Sequence, residues 1–107
     1  METLYEVKGR TLIVYMPEEI DHHISEKINE ETQWFITSNN VNEVVFDFEK
    51  TDFMDSSGIG IVMVNFRMMN SMGGRISVRN ANRNVDRALT ISGVSRVIRE
   101  QNKEGEE

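Results

Sequence analysis

Val44-Val45-Phe46-Asp47-Phe48 has the length and side-chain types of a largely buried strand, and soon after it the pattern changes to helical spacing, from Ile61 to Met72. A buried strand feeding a helix is the unit of α/β sheets with right-handed crossovers. Between the two lies Phe53-Met54-Asp55-Ser56-Ser57-Gly58-Ile59-Gly60. It puts adjacent hydroxyls on a strand-to-helix turn, where backbone N–H groups lack intrahelical partners. Such a turn can hold an anion, and a serine there can be made into one. A helix cap with no further role fits the spacing equally well.

The rest of the chain continues the alternation. Leu4 to Lys8 and Thr11 to Met16 flank Gly9-Arg10 and read as a hairpin. Pro17 and two glutamates break the second strand. Asp21 caps a first helix with Ile24, Ile28 and Phe35 on one stripe, ending at Asn39-Asn40. The second helix starts near Ser57 or Gly58 and stops at Gly73-Gly74. Arg75 to Val78 suits a strand, Asn82 caps a third helix carrying Val85, Ala88 and Leu89, and Gly93 closes it. Val94 to Ile98 reads as a last strand. The expected order is β-β-α-β-α-β-α-β. It makes one α/β domain over residues 1–100 around a mixed sheet of four to five strands, followed by a disordered acidic tail over residues 101–107.

Composition narrows the chemistry. With no cysteine there is no disulfide framework, thiolate catalysis or cysteine-ligated zinc. The net charge is −6 and the basic residues form no stripe with interleaved aromatics, which argues against nucleic-acid binding. Nothing reads as a signal peptide or membrane span, so a cytoplasmic protein with no membrane partner is expected. No metal or cofactor is expected either. Asp47, Asp52 and Asp55 do not follow calcium-loop spacing, and Gly58-Ile59-Gly60 is too short for a Walker loop and lacks its lysine. Hydrolytic chemistry is disfavoured: there is no Gly-x-Ser-x-Gly elbow, and His22 and His23 diverge by ~100° on a helix.

The second helix carries a surplus of apolar surface. Ile59, Val62, Met63, Phe66 and Met69 form one cluster and Ile61, Val64, Met68 and Met72 another, together spanning roughly 260° of arc. A helix covering a sheet needs an apolar stripe of little more than ~100°. Two explanations remain open. Neighbouring helices bury both flanks, or part of the second cluster is a docking surface suited by its methionines to a partner protein.

Asp55-Ser56-Ser57-Gly58-Ile59-Gly60 after a strand resembles the phosphorylation-site motif of the bacterial STAS-domain anti-sigma factor antagonists. The similarity extends along most of the chain. Glu19-Ile20-Asp21-His22-His23 resembles that family's acidic turn, Met72-Gly73-Gly74 its glycine pair before the fourth strand, and Leu89-Thr90-Ile91-Ser92-Gly93-Val94 its helix end. The resemblance implies a STAS fold and a protein that is not an enzyme. It implies that the unmodified form binds a cognate anti-sigma factor, itself a serine kinase, and so frees a sigma factor. Phosphorylation would fall on Ser56, with Ser57 as the second candidate, and a PP2C-type phosphatase would reverse it. The expected contact surface comprises Asp21, Asp55, Ser57, Gly58, Ile59, Ile61, Val64 and Met68. Two departures from the family stand out. Pro17-Glu18 replaces a usual glycine, and the polar end of the chain predicts that the family's fourth helix is reduced or absent. A STAS domain that binds a small ligand, or serves within a larger signalling or transport assembly, is the alternative.

Overall fold

A computed structural model describes residues 3–105. The strands are β1 (Leu4–Lys8), β2 (Thr11–Tyr15), β3 (Glu19–Ile20), β4 (Glu43–Asp47), β5 (Phe53–Met54) and β6 (Arg75–Arg79). The helices are α1 (His22–Ser38), α2 (Ser56–Ser71), α3 (Arg83–Ile91) and α4 (Val94–Gly105). β1 and β2 pair antiparallel with Lys8 opposite Thr11, and the reversal is made possible by Gly9 at φ +61°. β2, β4 and β6 are mutually parallel, giving a mixed sheet of order β1-β2-β4-β6.

Register sorts the side chains into two faces. Tyr5, Val14, Phe46 and Val78 form one row and Val7, Leu12, Val44 and Ile76 the next, all in or against the core. The helices complete that core with Ile28 and Ile36 from α1, Ile61, Val62 and Met69 from α2, Val85 and Leu89 from α3, and Val94 from α4. On the opposite face the rows are mixed, with Ile13 and Val45 between Glu6 and Ser77 in one and Leu4-Tyr15-Asp47-Arg79 in the next. Asp47 is buried there beneath the Arg79 guanidinium, Nε to Oδ2 2.7 Å, and also accepts from the Asn80 amide. Burial works to raise the Asp47 carboxyl. The hydrogen bonds from Arg79, the Glu49 N–H and Asn80, with the Arg79 charge, outweigh it and hold the group below its usual range.

The end of the chain departs from expectation. Val94–Ile98 is not a strand but the first part of α4, so the fourth helix is present. A short run with Val94, Val97 and Ile98 fits either element in isolation, because the same residues, extended to Gln101, recur at helical spacing. Gly93 at φ +89° ends α3 and turns the chain into the new helix. The outer edge of β6 is met instead by a side chain. Gln101 accepts from the Ile76 N–H at 3.0 Å and donates to the Ile76 carbonyl at 2.6 Å. Residues 101–105 of the expected tail belong to α4, and Glu106 and Glu107 lie outside the described residues.

Candidate functional site: the start of α2

Two short segments that are far apart in sequence are laid side by side. β3 pairs parallel with β5, Glu19 opposite Phe53 and Ile20 opposite Met54. The Glu18 carbonyl takes the Asp52 N–H at 2.8 Å and the Phe53 N–H at 3.2 Å, and the Ile20 carbonyl takes the Asp55 N–H at 3.1 Å. Thr51, itself buried, donates its hydroxyl to the Pro17 carbonyl at 2.8 Å and accepts on its own carbonyl from the Asn82 amide at 2.9 Å. The next residue after each short strand is an aspartate that caps a helix. Asp21 Oδ1 accepts from the Ile24 N–H at 3.0 Å, and Asp55 Oδ1 from the Ser57 N–H at 2.7 Å. α1 and α2 therefore leave one small sheet together, each with a carboxylate at its positive end.

Ser56 is the first residue of α2 and is exposed. Asp55, not Ser57, is the cap, because Asp55 keeps extended backbone while Ser57, half-buried, is already inside the first turn. The Ser56 hydroxyl thus stands in solvent on a backbone fixed from both sides. Glu18, Glu19, Asp21 and Asp52 are exposed on the paired segments, so the surroundings are strongly acidic. Among the described residues no group of His, Cys, Asp or Glu is arranged to hold a metal ion, and no helix is long and apolar enough to cross a membrane.

The structure buries part of the apolar surplus on α2 and leaves part of it exposed. α2 packs against α1 and also touches α4, and it buries Gly58, Ile61, Val62, Asn65 and Met69. Ile61 is 0% exposed and cannot line a docking surface. Gly58 is buried too, and a Cβ there would collide with the Met54 side chain, so its role is close approach of α2 to β5. Of the expected contact residues, Asp21 and Val64 are exposed, and Asp55, Ser57, Ile59 and Met68 are half-buried. Met72 is exposed at the far end of the helix.

Sequence reasoning missed two features. Asn65 sits in the middle of the buried stripe, its amide donating to Asn29 Oδ1 at 3.0 Å and to the Ile61 carbonyl at 2.7 Å. Its place at 61/62, 65 and 69 spacing was the available signal. The β3–β5 pairing was hinted at by the matching Ile20-Asp21 and Met54-Asp55, each an apolar residue followed by a helix cap.

The family model of the STAS domain matches residues 3–107, essentially the whole chain. The chain belongs to the STAS domain family. The anti-sigma F factor antagonist of Paenibacillus polymyxa is 31% identical to this STAS domain over 87 residues, 81% of this chain and 74% of that protein. The structure of the anti-sigma factor antagonist SpoIIAA in its unphosphorylated form superposes with a TM-score of 0.77 at 29% identity, covering 86% of this chain and 81% of that one. The phosphorylated form of SpoIIAA, a Bacillus cell fate determinant, gives 0.72 at 27% identity, covering 88% and 86%. A fold of mixed α/β type with four helices, including α4, accords with these neighbours.

Proposed function

We propose that this STAS domain is an anti-sigma factor antagonist switched by phosphorylation of Ser56. The unmodified form binds its anti-sigma factor, a serine kinase, and so releases the sigma factor. The kinase transfers the γ-phosphoryl group of ATP to the Ser56 oxygen, the serine proton is lost, and ADP leaves. A PP2C-type phosphatase hydrolyses the ester and restores the binding form. The observation that carries this reading is the exposed Ser56 hydroxyl at the first position of α2, on a backbone held by β3 and β5. Similarity to SpoIIAA, whose structure is known in unphosphorylated and phosphorylated forms, supports it.

The switch needs no change of fold. A phosphoserine adds about −1.5 to −2 charge, and a helix start favours such charge by only about 0.3–1 kcal/mol when exposed. Here the Ser57 N–H is already taken by Asp55, so the helix end has less to offer the phosphate. Burying the dianion under a partner, beside Asp55 and Asp21, is a different matter. Incomplete pairing of a buried charge costs several kcal/mol, and a net penalty of about 3–4 kcal/mol lowers affinity by roughly two to three powers of ten.

The test uses calorimetric binding to the cognate anti-sigma factor, and intact-mass spectrometry after incubation with kinase and ATP. Ser56→Ala is expected to bind and to gain no phosphate. Ser56→Asp is expected to fold and fail to bind. Phosphate incorporated into Ser56→Ala at Ser57 would reassign the site, and equal binding by wild type and Ser56→Asp would overturn the switch.

A further inference from the structure

We infer that Phe53 is the aromatic anchor of the partner-binding surface, and that the cleft between β5 and the start of α3 receives an apolar side chain of the anti-sigma factor flanked by a lysine or arginine. This rests on the reading of Ser56 given above and adds to it a contact that the serine motif does not contain. Phe53 is 60% exposed, although its neighbour Met54 turns inward against Gly58. The strand that carries it is immobilised by pairing with β3, by the Glu18 carbonyl and by the Thr51–Asn82 link. A bulky ring held out into water on fixed backbone loses little freedom when covered. Beside it a cleft is lined by Asp52, Phe53, Met54, Asn84 and Val85, of which Val85 is buried, Met54 half-buried, and Asp52 and Asn84 exposed.

Distance ties this cleft to the switch. Phe53 and Ser56 are three positions apart in the chain, so their Cα atoms are at most about 11 Å apart. A standard interface covers about 800 Å² of each partner, a disc of roughly 16 Å radius. Phe53 therefore lies within the reach of a partner centred on Ser56, and both residues are exposed. Trp34, 61% exposed, sits about 20 Å along α1 from Asp21, near the far end of that helix. Val64 lies about 12 Å along α2 from Ser56 but is a smaller, aliphatic group. Buried aromatics near the centre of an interface carry a disproportionate share of affinity. The cation of the occupant belongs on the Asp52 side, away from the exposed Arg83 that precedes Asn84: Asp52 lines the cleft and is hydrogen-bonded through its N–H to the Glu18 segment, where Glu18 and Glu19 are exposed.

The full chain is tested as wild type, Phe53→Ala, Asn84→Arg, Asp52→Asn and Ser56→Asp, each checked for an unchanged melting temperature, by calorimetry against the cognate anti-sigma factor. Phe53→Ala is expected to weaken binding about 30-fold and to raise the KM for Ser56 phosphorylation while leaving kcat in place. Asn84→Arg, which fills the cleft from an exposed helical position with unwanted positive charge, is expected to weaken it as well. Wild-type affinity in both variants, with Ser56→Asp still defective, overturns the anchor and leaves the switch standing. Wild-type affinity in Ser56→Asp overturns the functional reading itself. Asp52→Asn is expected to slow association at low salt only, and an unaltered rate there would remove the cation from the proposed occupant.

Discussion

Replacing Asp55 separates its two contributions to the start of α2. Its Oδ1 accepts the Ser57 N–H at 2.7 Å, and its charge lies at the positive end of a helix of 16 residues. Loss of a carboxylate cap costs about 0.5–2 kcal/mol, and loss of the charge–dipole attraction about 0.3–1 kcal/mol. Asp55→Ala removes both, so a loss of about 1–2 kcal/mol is expected, or roughly 5–15 °C in Tm for a domain of this size. Asp55→Asn keeps an acceptor and removes only the charge. Relief of repulsion from Asp21 and Glu19 is the same in both variants, so the Ala-minus-Asn difference isolates the hydrogen bond, at about 1 kcal/mol. Urea denaturation followed by far-ultraviolet circular dichroism measures it. Equal stability of the two variants would refute the capping argument. A second comparison reaches the switch: with the Ser57 N–H vacated in Asp55→Ala, the Ser56 phosphate gains a donor. Phosphorylation is then expected to stabilise that variant more than the wild type.

The remaining predictions concern the scaffold. Gly74→Ala is expected to cost about 1–3 kcal/mol in thermal unfolding, because its Cβ would lie 2.7 Å from the Asn42 carbonyl oxygen, which the Arg75 N–H holds in place. Arg79→Ala leaves Asp47 buried without its cation and is expected to cost about 1–2 kcal/mol at neutral pH, since the arginine is itself partly exposed. The Asp47 carboxyl is depressed in the folded state, so its stabilising share is present above its unfolded value of 3.8 and is lost as pH falls through the lower folded value. Denaturation curves between neutral and strongly acid pH should therefore show the Arg79→Ala deficit shrinking below about pH 4, and a deficit independent of pH would count against the ion pair.

Local signals were legible where the physics is local. Asp21, Asn82 and Gly93 each act on backbone within a few residues, and each does in the fold what its chemistry suggested. The serine motif was equally legible, since a strand-to-helix turn is set by adjacent residues. The error at Val94–Ile98 arose because β-branched residues in a short run satisfy two periods at once, and only contact with the core through Val94 and Ile98 selects the helix. Ile61 was misplaced for a related reason. A helix wheel gives the angle between side chains but not which way the wheel faces.

The sequence by itself determined the alternation of main strands and helices as far as α3, the caps at Asp21 and Asn82, and a hydroxyl at the beginning of α2, all consequences of near-neighbour stereochemistry. Only the tertiary structure decided that Ile61 and Asn65 face inward and that α4 rather than a fifth main strand closes the edge at Ile76. It also decided that Asp21 and Asp55 come together through β3 and β5. Those outcomes depend on groups tens of residues apart competing for the same buried space and the same backbone hydrogen bonds, a competition that no window of sequence contains.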